Sequence, residues 1–254
     1  MKTIKIISIM AFCTLFFYQS QAQNNTEGKI IFEQKINMHK RITDDAMKAM
    51  VPEFRTVEMQ LNFRAGESLY LPVPKEEDDS EINSNDGNGA QIRMVIKTPK
   101  NEVYRNYYTQ EKIELRELAG QTFLVIDTLK RTPWKLTGES KKVNGYDCMQ
   151  ATMTNPTNKQ QTSVWFTEAI PAPHGPSLFG GLPGLVLEVN INEGETIFTA
   201  KKIEFKQLNK EDFRKPSGGK KVTEAEFTKQ REAWMKEMGI QNGGSGGAIR
   251  IIRN

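Results

Sequence analysis

The chain has 254 residues, of which 37% are hydrophobic and 26% charged, with 35 Lys and Arg against 31 Asp and Glu for a formal charge of +4. A balance that close, with no concentrated basic face, excludes a nucleic-acid partner as a working expectation. The length suits one domain of ordinary size, whose core needs no disulfide or metal staples.

Residues 1–22 read as a signal peptide. Lys2 and Lys5 give a basic start, Ile6 to Tyr18 is a nearly unbroken apolar run, and Ser20-Gln21-Ala22 supplies the small residues of a cleavage site. The run is shorter than the roughly 20 residues that cross a bilayer. Cys13 lies behind bulky Phe12 inside it, where a lipid-anchored cysteine would follow small residues. Cleavage removes two of the 35 basic residues and no acid, lowering the charge by two, and leaves Cys148 as the single thiol. No second apolar run follows, so the mature chain is expected to lack a transmembrane segment.

Residues 23–215 predict an antiparallel β domain. In Lys29 to His39, Ile30, Phe32, Ile36 and Met38 share one parity, while Glu33, Lys35, Asn37 and His39 share the other, the period of a half-buried strand. Asp44 to Met50 predicts a short helix ended by Pro52. Val57, Met59, Leu61 and Phe63 alternate again, and Arg64-Ala65-Gly66-Glu67 predicts a hairpin with Gly66 at a positive φ. Lys75 to Gly89 is acidic and glycine-rich and reads as a loop. Its Asp79, Glu81, Asn83 register places Ser84 where a calcium loop needs glycine.

Strands follow at Ile92 to Ile96, Val103 to Tyr108, Ile113 to Leu115 and Phe123 to Ile126, the last two joined by Ala119-Gly120. Thr132 to Gly138 predicts a strand carrying Trp134 and Leu136 on one face. Tyr146 to Thr154 is expected to pair with Thr162 to Thr167, and Leu185, Leu187 and Val189 share an inner face. In Thr196 to Phe205 the apolar parity switches near Lys201-Lys202, which predicts a β-bulge. Within 216–240, Thr223 and Glu226 form a capping box that opens an amphipathic helix to Met238, carrying Phe227 and Trp234. Residues 241–254 open as a Gly-rich flexible tail and end as Ile-Arg-Ile-Ile-Arg-Asn. The expected fold is therefore mainly β. It is a strongly curved antiparallel half-barrel of the lipoprotein-carrier type, with one C-terminal covering helix and a short helix near residues 44–50.

Chemistry is thinly represented. The two histidines, His39 and His174, lie in no zinc spacing, and no P-loop, G-x-S-x-G or H-E-x-x-H motif occurs. No cofactor or metal is expected. Cys148 with His174 is the one conceivable nucleophilic pair, and Cys148 with Met149 and Met153 the one soft-metal (copper) cluster; strand alternation sends Met149 and Met153 to the face opposite the thiol. A structural, buried thiol is the expectation. Phe179-Gly180-Gly181-Leu182-Pro183-Gly184-Leu185 is no phosphate loop, because a strand and not a helix follows it. Gly180, Gly181 and Gly184 are expected to permit close approaches and unusual backbone angles, and Pro183 to stiffen the corner.

An ordered series of motifs carries a resemblance. It runs from Trp134-Lys135-Leu136-Thr137-Gly138-Glu139 through Val143-Asn144-Gly145-Tyr146-Asp147-Cys148 and Val164-Trp165-Phe166-Thr167. Ile170-Pro171, Gly175-Pro176 and Gly181-Leu182-Pro183-Gly184-Leu185-Val186 complete it. The series resembles the GLPGLI family of exported Bacteroidota proteins, with Val186 in place of the final isoleucine. The resemblance implies the periplasm or cell envelope of a Gram-negative cell and assigns no catalytic residue. Together these features predict an exported binding or accessory protein whose partner is an envelope protein, an extended peptide or an apolar ligand held on the curved sheet. A thiol enzyme or copper protein using Cys148 is the alternative.

Overall fold

The computed structural model describes residues 25–42, 45–73, 79–85, 91–97, 100–156, 159–237 and 250–253. Residues 1–22, expected as a signal peptide, the stretches 75–78 and 86–89 of the expected acidic loop, and the glycine-rich segment 241–249 fall outside the described residues.

The chain opens with β1 (Glu27–Asn37), in which Ile30, Phe32 and Ile36 are buried as their parity requires. The short α1 (Asp45–Met50) stops ahead of Pro52. Next come β2 (Phe54–Arg64), β3 (Glu67–Pro72), β4 (Asp79–Asn85), β5 (Gln91–Lys97), β6 (Glu102–Asn106), β7 (Glu111–Leu118) and β8 (Gln121–Thr128). The second half holds β9 (Lys135–Val143), β10 (Tyr146–Thr154), β11 (Gln161–Thr167), β12 (Leu185–Ile191) and β13 (Thr196–Phe205). It ends with β14 (Lys220–Val222), α2 (Glu224–Glu237) and β15 (Arg250–Arg253).

Twelve strands form one open sheet in the order β14-β8-β7-β6-β3-β2-β1-β13-β12-β11-β10-β9. All pairings are antiparallel except that of β14 with β8. A separate sheet, β15-β5-β4, stands apart from it. Asp79 to Asn85, expected as loop, is thus a strand: backbone pairing with Gln91–Lys97 outweighs its polar composition.

The connection from β8 to β9 fixes the curvature. Thr128 and Lys135 lie ten strands apart in the sheet order, about 48 Å if the sheet were flat. The extended chain between them reaches only about 24 Å. The sheet must bend until its two ends approach, which is the expected half-barrel. The bend is helped by a bulge in β13: Ile31 faces Lys202 and Phe32 faces Ala200, leaving Lys201 as the extra residue where the parity switch predicts one.

The inner face carries the main core, with Ile30, Phe32, Leu61, Phe63, Val164, Leu187 and Val189 almost wholly buried. On β3, β6, β7 and β8 the outer face is buried too. Leu69, Tyr104, Ile113 and Leu124 form a second cluster, over which Lys215 reaches to stand 5.5 Å from the Tyr104 ring centre.

At the β8 end the inner face is covered by α2. Its capping box forms as expected, with the Thr223 N–H donating to Glu226 at 2.7 Å and the Glu226 N–H donating to the Thr223 hydroxyl at 3.2 Å. Phe227 packs edge-on against Phe123 at 5.5 Å, a burial contributing about 2–3 kcal/mol. Arg116 clamps Glu224 through two 2.9 Å bonds.

Three local expectations need correction. His39 lies in a 3-10 turn after β1, where its Nε2 meets the Val51 carbonyl at 2.9 Å, and not on a strand. Gly66 is not at positive φ; the exposed Tyr108 ring lies over it, and a methyl there would require that ring to swing aside. Trp134 and Leu136 do not share a strand face, because β9 begins at Lys135 and Leu136 is 65% exposed.

Candidate functional site

The 17 residues between β11 and β12 make no regular structure, yet they pack as core. Ile170, Ala172, His174 and Leu182 are buried, and all but His174 belong to the main apolar cluster. Gly181 at φ +80° turns the chain, and its N–H donates to the Pro173 carbonyl at 2.9 Å. A methyl on Gly184 would stand 2.1 Å from the Thr167 carbonyl oxygen, and one on Gly180 would meet Arg105 and the Pro173 carbonyl at 2.8 Å. Gly175 and Pro176 are buried beside Val186, whose N–H donates to the His174 carbonyl at 2.9 Å. Pro183 stands exposed at the corner, ahead of buried Leu185. These glycines therefore hold a plug in the curved sheet.

Arg105 of β6 latches that plug. It is 2% exposed and donates to the carbonyls of Gly175 at 2.6 Å and Phe179 at 3.2 Å. Trp134 adds a 2.9 Å bond from its indole N–H to Gly180. His174 donates from Nε2 to the Arg64 carbonyl at 3.0 Å and meets the Tyr107 ring edge-on at 5.2 Å. Burial, seconded by the Arg105 charge, pulls the His174 pKa down to about 3, so the ring is neutral at any ordinary pH. Sequence reasoning missed Arg105: in Val103-Tyr104-Arg105-Asn106 both faces of β6 are buried, so alternation gives no cue that the arginine points inward.

Cys148 is 1% exposed, and its thiol donates weakly to the Tyr146 carbonyl at 3.5 Å. Burial, only partly offset by a hydrogen bond with the Val143 backbone and by the Lys141 charge, pushes its pKa up to about 11. Its contacts lie on β9 to β11, whereas those of His174 are Arg64 at the end of β2 and Tyr107 just past β6, so the structure does not assemble the two into a nucleophilic pair. Met149 lies on the surface, 39% exposed, facing away from the thiol.

Two shallow clefts open at one end of the sheet. One, of about 420 Å³, lies between the start of β1, the β2–β3 turn and Tyr108. The other, of about 470 Å³, lies beside the β9–β10 turn and includes Tyr146, Cys148, Met149 and Glu168. The two sheet edges differ. The β14 edge is backed by α2, whereas β9 ends the sheet with eight of its nine residues exposed.

The architecture is that of an open, mostly antiparallel β domain with a filled interior. The profile of the family described as "N-glycanase peptide, N-terminal domain" matches residues 79–225. The chain belongs to that family. Two solved structures of PNGF-II, in space groups P21 and C2, share the fold at a TM-score of 0.53 and 15% identity. The matches cover 82% and 81% of this chain but only 33% and 32% of those proteins, so the chain spans about a third of their length. No curated protein matches it.

Proposed function

We propose that the chain is an exported, non-catalytic binding or accessory protein that holds an extended polypeptide along the β9 edge. The observation that carries this reading is the asymmetry of the sheet: the interior is occupied by the 168–184 segment and α2, while among the described residues no strand pairs with the outer edge of β9. An edge strand offers unpaired N–H and C=O groups, and an extended peptide adds to them as a further strand. An apolar ligand would have to displace the protein's own Ile170 and Leu182, so the peptide is the favoured partner.

The family supports the accessory role, since its description names one domain of an N-glycanase; the polypeptide to test is accordingly an unfolded N-glycoprotein. Export is supported by the basic start and apolar run of residues 1–22. The resemblance to the GLPGLI family agrees with an envelope location. Cys148, protonated at neutral pH, gives the thiol and copper readings little support.

Hydrogen exchange of the protein saturated with a reduced, carboxymethylated N-glycoprotein tests the proposal. Slowed exchange of the amides of residues 135–143 is expected. Unchanged β9 amides, or protection confined to the inner face, would overturn it.

A further inference from the structure

The formal charge of +4 is concentrated along one short stretch of the chain. Residues 129–143, which connect β8 to β9 and include all of β9, carry Lys130, Arg131, Lys135, Lys141 and Lys142 against a single acid, Glu139. Taking these five and one from the 35 basic and 31 acidic residues of the chain leaves 30 of each. The whole excess therefore lies on and beside the sheet edge proposed to take a guest strand, and all five basic residues are exposed.

The register assigns these residues to faces. Lys135 lies opposite Thr152 and Lys141 opposite Cys148, while Gln150 between them pairs with Trp165. Positions 148, 150 and 152 share a face, so Lys135 and Lys141 both stand on the Trp165 side. Lys141 is held there, 4.4 Å over the Trp165 ring and 2.7 Å from Glu188. Lys130 and Lys142 pair with Asp127 and Asp147 in exposed bridges that contribute little. Among the described residues, Arg131 and Lys135 enter no ion pair. Leu136, opposite Ala151, lies on the other face with Met149, and both are exposed. The two-residue Asn144-Gly145 turn makes Val143 and Tyr146 a mutually hydrogen-bonded pair, so Ser140 and Lys142 turn their N–H and C=O groups to the unpaired side.

We infer, resting on the β9 reading above, that the edge selects an acidic strand. Its carboxylates stand at alternate positions beside Lys135 and Lys141, and its apolar side chains lie between them beside Leu136 and Met149. Opposite charges attract across a strand pair and like charges repel. Lysines also guard sheet edges against unwanted pairing. Here they turn away a basic strand and a second copy of β9, and they leave an acidic strand admissible. A neutral apolar strand would gain nothing from Arg131 and Lys135. A polyanion without amide groups would answer the charge and leave the outward N–H and C=O groups of Ser140 and Lys142 unpaired.

Fluorescence anisotropy tests this with a labelled short peptide alternating glutamate and valine, its glutamine and lysine counterparts, its N-methylated form and single-stranded DNA. The glutamate peptide is expected to bind saturably, about tenfold tighter than the glutamine peptide, and to weaken about tenfold in the double variant Arg131→Glu, Lys135→Glu. Added salt should weaken it as well, the lysine peptide should not bind, and the melting temperature of the double variant should be unchanged. Equal affinity for the glutamate and glutamine peptides, or unchanged binding by the double variant, would overturn the charge selection. The β9 reading would then stand if the carboxymethylated glycoprotein still slows exchange at residues 135–143. Equal binding of the N-methylated peptide or of the DNA would overturn the acidic strand, because charge alone would then suffice. Glutamate-peptide binding that protects no β9 amide would overturn it too.

Discussion

The 168–184 segment and β9 invert the usual relation between regularity and burial. The first has no ladder of its own and lies in the core; the second is paired along β10, with one bulge around Gly138, and stands almost wholly in water. Regular pairing is one way to satisfy backbone groups, and a buried arginine aimed at two carbonyls is another. The irregular segment is therefore expected to be the rigid, mutation-sensitive region, and the exposed edge strand the tolerant one.

The largest test of that contrast is Gly184→Val. With 2.1 Å between a built Cβ and the Thr167 carbonyl, the corner cannot close, and the domain should be unfolded or lose several kcal/mol. A variant with unchanged melting temperature in thermal denaturation would show that the plug is not part of the core. Arg105→Met comes next. It strands the buried carbonyls of Gly175 and Phe179, a loss of about 2–5 kcal/mol measurable by urea denaturation.

His174 gives a pH signature. Its folded pKa of about 3 lies below the unfolded value near 6.5, so the unfolded chain takes up the proton first. Stability from this group should be complete above pH 6.5, fall as pH drops, and level off below about 3. Wild type should lose up to a few kcal/mol more than His174→Gln across that window, as the difference between their urea midpoints. Parallel curves would break the assignment. The smallest effect is expected on β9, where Leu136→Ser should change stability by no more than about 0.5 kcal/mol, because the side chain is 65% exposed. A larger loss would mean that the bare edge is a structural element after all.

Much of the fold was legible because one face of each central strand is buried. Ile30, Phe32, Leu61 and Phe63 obey alternation, the parity switch located the bulge at Lys201, and Thr223 with Glu226 located the helix start. Alternation fails where both faces are covered, which hid Arg105, and where neither is, which misplaced Leu136. Asn144-Gly145, both at positive φ between paired Val143 and Tyr146, is a two-residue hairpin turn that the motif series passed over. The contact of Tyr108 with Gly66 had no local signature, since the two are brought together only by the pairing of β3 with β6.

The place of β1 in the middle of the sheet carries a kinetic consequence. It pairs on one side with β2, close in sequence, and on the other with β13, where Gly28 lies opposite Phe205. The second pairing cannot form until most of the polypeptide has emerged, and joining segments so distant is slow. A chain synthesised from its N-terminal end would stay unlocked for most of its synthesis. Only when Thr196 to Phe205 arrives can the first strand be sealed between its two neighbours.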